Sequence, residues 1–134
     1  MTVVLDTNVF VSAIFWPGDD RRCLAQWSRR KFRVALTPQI LDEYRETALR
    51  LAAEFSAVNP KPWLDWIADR AVMVEPTQLG KRRSRDADDD AFLACALAAG
   101  AEFIVSKDRH LLRLGKPFGI EILTPRDFLR RLKP

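Results

Sequence analysis

The sequence predicts an α/β protein, a three-layer α/β/α sandwich around a parallel five-stranded sheet. Three observations carry this. Five short, nearly all-apolar segments alternate with helix-patterned stretches, as strands joined by crossover helices do. The segments lack the polar and apolar alternation of a half-exposed sheet, so both faces are expected to be covered. The 134 residues fit a single domain, 1–134, whose core needs neither disulfides nor a structural metal.

Residues 2–5, TVVL, form the first β-branched run and end at Asp6. FVSAIF and CLAQWSRR carry helical spacing to about residue 30, broken at Pro17-Gly18. Residues 32–36, FRVAL, read as the second strand. Thr37 then supplies an N-cap and Pro38 the first helical position of a helix running to about residue 55. Asn59-Pro60 and Pro62 interrupt the chain before the helical WLDWIADR, and AVMVE at 71–75 is the third strand. A charged loop, PTQLGKRRSRDAD, leads into the helix DDAFLACALAAG, with acids in its first turn and Gly100 at its C-terminal end. EFIVS at 102–106 is the fourth strand, 108–114 a short helix and IEIL at 120–123 the fifth strand, after which Thr124-Pro125 caps RDFLRRL.

A composition of 48% hydrophobic and 30% charged residues is that of an ordinary soluble domain, and no apolar run nears the roughly 20 residues of a membrane span. The start, MTVVLDTNVF, has no basic segment before its apolar residues and meets an acid at position 6; a cytoplasmic protein with no membrane partner is expected. Cys23 and Cys95 stand apart inside apolar helical patterns, which favours core packing over disulfide or zinc chemistry. A net charge of +4 is compatible with a polyanionic partner without identifying one.

The chemistry-bearing residues are acids. In a parallel sheet each connecting helix starts at the carboxyl edge of the strands, so strand ends and first helical turns share one rim. Asp6 ends the first strand, Glu43 sits in the second turn of the helix after the second, Asp89 starts the helix before the fourth, and Asp108 follows the fourth. Asp86, Asp88 and Asp90 crowd Asp89, and a helix dipole favours acids there regardless of function. Asp6 and Asp108 are equally competent as helix caps. Carboxylates sharing a crevice repel unless a hard divalent cation joins them, and Mg2+, with Mn2+ as the alternative, suits an all-oxygen set. Such an ion can activate water for in-line attack on a phosphodiester without a protein nucleophile.

VLDTNVFVSAIF, TPQILDEYRETALR, DADDDAFLACALAAGAEFIVSKDRHLL and ILTPRDFL together resemble the PIN-domain proteins, in particular the small bacterial toxin-type branch, over nearly the whole chain. The resemblance implies a sheet ordered 3-2-1-4-5, Mg2+- or Mn2+-dependent endoribonuclease activity on RNA, and an antitoxin protein as partner. By motif, Asp6 of LDTN, Glu43 of ILDEY and Asp108 of VSKD correspond to the first, second and fourth family acids. Asp89 of DDAFLACA is the third, with Asp86 and Asp90 as second choices. Asn8 and Ser106 correspond to supporting polar positions beside the acids, where Thr is the commoner family residue at 106.

Lys81, Arg82, Arg83 and Arg85 of KRRSR could grip RNA phosphates or merely balance the neighbouring acids. Arg29, Arg30 and Lys31 read as a plain helix end, and His110 as a surface or capping residue. In the pairs Phe15-Trp16 and Trp63/Trp66 one aromatic of each is expected in the core, the other being available to a homodimer or an antitoxin helix. Two rival readings differ in chemistry. A phosphatase with Asp6 as nucleophile would repeat the acid two residues on, where this chain has Asn8. A PIN-like binding module would act by complex formation with a partner and nucleic acid, without turnover.

Overall fold

The computed structural model describes residues 1–80 and 87–133, and the side chains of all these but 87–89. In chain order the elements are β1 (Thr2–Leu5), α1 (Thr7–Phe15), α2 (Asp19–Ser28), β2 (Arg33–Leu36), α3 (Pro38–Glu54), α4 (Lys61–Arg70), β3 (Val72–Met73), α5 (Ala87–Ala99), β4 (Phe103–Val105), α6 (Arg109–Leu112), a 3-10 turn (Pro117–Gly119), β5 (Glu121–Leu123) and α7 (Pro125–Leu132). Threonine followed by proline sets two helix starts: Thr37 Oγ1 accepts from Ile40 N at 3.2 Å and Thr124 Oγ1 from Asp127 N at 3.2 Å. Each such cap contributes about 1 kcal/mol and fixes where its strand must stop.

All five strands are parallel, in the order β3-β2-β1-β4-β5. The register pairs Leu5 with Val105 and Val105 with Leu123, so β1, β4 and β5 end level. The chain builds outward from β1 to β3, then returns to place β4 on the other side of β1. Right-handed crossovers therefore put the connections before and after that return on opposite faces. α5 packs against β1, β2 and β4, while α1 packs on α2 and α3, and α2 on α7. The run Phe92, Leu93, Ala94, Cys95, Ala96 is buried all round, as a helix covering the middle of a sheet must be. One apolar cluster joins Val3, Val4 and Leu5 to Phe10, Trp27, Ile67 and Phe128. Truncating a fully buried member such as Leu5 to Ala costs about 2–5 kcal/mol.

Three expectations are corrected in detail. The third strand pairs over two residues instead of five, and Val72 and Met73 are exposed rather than covered on both faces. As an edge strand it has β2 on one side only; Val74 N still reaches Leu36 O at 2.8 Å, after which Glu75-Pro76 leaves the ladder. The short helix is α6 alone, Asp108 being its cap rather than its first residue, and a 3-10 turn precedes β5. Trp63 and Trp66 are both half-buried, Trp66 lying 4.4 Å from Trp27. Phe15 is buried and Trp16 exposed, the division expected. Cys23 and Cys95 are buried in the core, and burial pushes both thiols up to about 12, so neither is reactive at neutral pH.

Candidate active site at the ends of β1 and β4

The strand order reverses between β1 and β4, and in open α/β sheets ligands bind beyond the carboxyl ends of the strands at such a point. Asp6 and Ser106 are the first residues past these two strands. Their backbones are held in sequence across the sheet: Asp6 N donates to Val105 O at 2.9 Å and Ser106 N to Leu123 O at 2.9 Å. Ser106, fully buried, donates its hydroxyl to Asp6 Oδ2 at 2.6 Å and accepts from Asp108 N at 3.0 Å. One side chain thus fixes both acids. Asp108 Oδ1 in turn accepts from His110 N at 2.7 Å and Leu111 N at 3.3 Å, so the functional and capping readings of Asp108 coexist. His110 enters this arrangement through its backbone, and its side chain is exposed.

Asp6 is 6% exposed. Burial pushes its carboxyl above the usual range; the Ser106 hydroxyl and the backbone amides of Asn8 and Thr7 oppose that, and the charge of Asp108 adds to it. The two acids therefore share an electrostatic environment in which a second negative charge is costly. Thr7, buried at the start of α1, has no partner for its Oγ1 among the described residues. A buried hydroxyl left so costs about 1–3 kcal/mol. Asn8, on the same turn, is exposed.

Glu43 lies half-buried on α3, one residue before Tyr44. Tyr44 is fully buried, stacks on Phe10 of α1 at 4.6 Å and donates its hydroxyl to Leu5 O, the carbonyl directly before Asp6. Burial, helped by the charges of Asp6, Cys95 and Glu43, pushes the phenol well above its ordinary value, so it remains a donor at neutral pH. Tyr44 pins the Glu43 turn to the end of β1. Its residue number attracts no attention in the sequence, where it reads as one aromatic on an amphipathic helix; the one signal was a polar-tipped ring adjoining a candidate acid. Thr7 likewise gives no signal in the sequence, where Asn8 is the polar residue that the family motif marks.

Asp89 occupies the first turn of α5, the rim predicted for it, and Asp90 beside it is half-buried. The Asp89 side chain, Asp86 and the Lys81, Arg82, Arg83 and Arg85 run lie outside the described residues or side chains. Among the described residues no three His, Cys, Asp or Glu side chains converge closely enough to hold an ion. What is present fits a hard cation in kind: two braced carboxylates, one buried against its own charge, and, on the residue after Asp6, a buried hydroxyl with no partner among the described residues.

The sequence matches the family model for the PIN domain over residues 2–110, a span that contains all four candidate acids. A comparison with curated proteins found no significant match. No helix among the described residues is long and apolar enough to cross a membrane. With the parallel sheet, the order 3-2-1-4-5 and the acids at its carboxyl edge in agreement with that match, the chain belongs to the PIN-domain family, whose members are in general nucleases that use divalent metals.

Proposed function

We propose that this protein is a metal-dependent endoribonuclease that hydrolyses RNA phosphodiester bonds, the toxin of a toxin-antitoxin pair acting in the cytoplasm as a homodimer. The observation that supports the activity is the Asp6–Ser106–Asp108 network, buried at Asp6 and Ser106, at the point where the strand order reverses. Asp6, Glu43, Asp89 and Asp108 would hold Mg2+, or Mn2+ in its place. The ion, when bound, supplies a water of lowered pKa and a Lewis acid for the phosphodiester.

The chain's own part is positioning. Ser106 orients the Asp6 carboxylate through Oδ2 and holds the Asp108 backbone, so the two acids keep a fixed separation as charge changes between them. Burial makes the charge on Asp6 costly, a cost that a nearby cation would relieve. Tyr44 holds the β1 end against α3, bringing the Glu43 turn to the same edge. Hydrolysis then joins the water oxygen to phosphorus and breaks the bond to the leaving ribose oxygen, which departs protonated, with no covalent intermediate on the protein.

The test is cleavage of a mixed RNA pool by purified protein with Mg2+, with Mn2+ and with chelator, beside an Asp6→Asn variant prepared identically. Cleavage that requires metal and disappears in the variant is the expected result. Activity indifferent to both controls overturns the assignment, and RNA binding without cleavage moves the function to a binding module. For the toxin role, growth arrest on expression should be relieved by co-expressing the neighbouring reading frame.

A further inference from the structure

α2 and α7 come from opposite ends of the chain and pack together. Between them runs a groove of about 590 Å³, lined by the cations Arg22, Arg29, Lys31, Arg126, Arg130 and Lys133 and by a single carboxylate, Asp19. The lining residues Arg22, Ala25, Gln26 and Arg29 recur at helical spacing on α2, as do Arg126, Leu129, Arg130 and Lys133 on α7 and its C-cap. Each helix therefore turns one whole face to the groove.

Arg22 is paired with Asp19 at 2.8 Å and Arg130 with Asp127 at 3.7 Å. No carboxylate among the described residues pairs with Arg29, Lys31, Arg126 or Lys133. The chain as a whole carries only +4, so six cations against one acid leave no net positive charge elsewhere. Helix dipoles explain Arg29 and Arg130, which lie at helix C-terminal ends. They do not explain Arg126, which sits in the first turn of α7, where a cation is disfavoured. A concave surface of mutually repelling cations is stabilised by a polyanion.

The position of the groove selects the polyanion. A smaller adjoining depression of about 370 Å³ shares Asp19 and Arg126 with it and extends to Ser12, Thr124 and Lys107. Lys107 immediately precedes Asp108 and is tied to Asp20 of α2 at 2.5 Å. The depression is itself balanced in charge, Asp19 and Asp20 against Lys107 and Arg126, and it joins the cationic groove along α2 and α7 to the residue before Asp108. We infer that the groove between α2 and α7 binds the phosphate backbone of single-stranded RNA, gripping the strand that leads out of the acidic site. This deepens the ribonuclease reading and rests on it. The groove's apolar lining residues, Ala25, Leu129 and Leu132, offer contact to the unstacked bases that only a single strand presents, and the cations read phosphate without reading sequence.

The experiment is binding of a short fluorescein-labelled single-stranded RNA, measured by anisotropy in chelator across a salt series, so that no cleavage enters. A variant carrying Arg29→Gln, Lys31→Gln, Arg126→Gln and Lys133→Gln is compared with one carrying Arg45→Gln, Arg50→Gln, Lys61→Gln and Arg113→Gln, which removes the same charge from other exposed positions; circular dichroism checks that both are folded. The groove variant should bind more weakly, with a log–log salt slope shallower by about 2 to 3, since each phosphate contact on a single strand contributes about 0.7. The comparison variant should keep the wild-type slope. Equal losses in both variants, or a groove that takes up a poly-glutamate peptide in preference to RNA, would overturn the inference. Metal-dependent cleavage with groove-independent binding sinks the groove alone; groove-dependent RNA binding without cleavage sinks the nuclease reading and leaves the groove as an RNA site.

Discussion

Asp6 is 6% exposed and hydrogen-bonded to a serine with no exposure at all, whereas Arg29, Lys31, Arg126 and Lys133 of the α2–α7 groove are exposed and paired with no described carboxylate. Both regions concentrate like charge. At the rim the charge is few in number, buried at Asp6 and half-buried at Glu43 and Asp108, with Asp6 held by the Ser106 hydroxyl and Asp108 by backbone amides. In the groove it is plentiful, solvated and carried on long side chains. The difference suits the two proposed roles: chemistry at phosphorus demands groups held within fractions of an ångström, while gripping a flexible phosphate chain rewards number and reach. A parallel sheet supplies the first through its register, and a pair of helix faces supplies the second.

The comparison breaks most visibly at Ser106. Ser106→Ala removes the donor to Asp6 and the acceptor for Asp108 N together, and should lower metal affinity or metal-dependent cleavage about 10–100-fold, the usual cost of losing a partner behind a ligand. Ser106→Thr, which keeps the hydroxyl, should retain most activity. Equal activity in the Ala variant would mean that the rim is not braced as described. The next effect is on stability. Tyr44→Phe leaves a buried Leu5 carbonyl without its phenolic donor and should cost about 1–3 kcal/mol in urea unfolding.

A subtler consequence concerns pH. The folded state raises the Asp6 carboxyl above its unfolded value, so the native protein binds that proton more tightly. Its contribution to stability is therefore greatest at low pH and declines as pH rises from the unfolded value of 3.8 through the raised folded one. In chelator at neutral pH, Asp6→Asn should accordingly have a higher Tm than wild type, the gap closing below about pH 4, where both side chains are neutral. A lower Tm for the variant at neutral pH would show that its hydrogen bonds outweigh burial. Of opposite sign, Thr7→Val should raise the metal-free stability by up to about 1–3 kcal/mol, since it removes a buried hydroxyl with no partner among the described residues, while weakening Mn2+ binding measured by calorimetry.

Much of this was legible in the sequence because it is local. Thr37-Pro38 and Thr124-Pro125 announce helix starts within four residues, and the placing of Asp6 and Asp108 at one edge follows once the strands are parallel. That β1 and β4 are neighbours came from family resemblance and is now seen directly. What stayed hidden depends on distant packing. Tyr44 meets Leu5 across 39 positions and Lys107 meets Asp20 across 87. Arg29 and Lys31 do end a helix, as expected; that they face Arg126 and Lys133 becomes visible only when α7 lies on α2. The third strand was overread because β-branched and apolar residues look alike at a sheet's edge and at its centre.

The acidic rim as a metal centre is tested most directly by titrating the protein with Mn2+ and following the ion's electron paramagnetic resonance signal, for wild type, Asp6→Asn and Asp108→Asn in parallel. Saturable binding in wild type that is lost in both variants is the predicted result. Binding undiminished in the two variants would contradict it, because the ion would then be held somewhere other than the ends of β1 and β4.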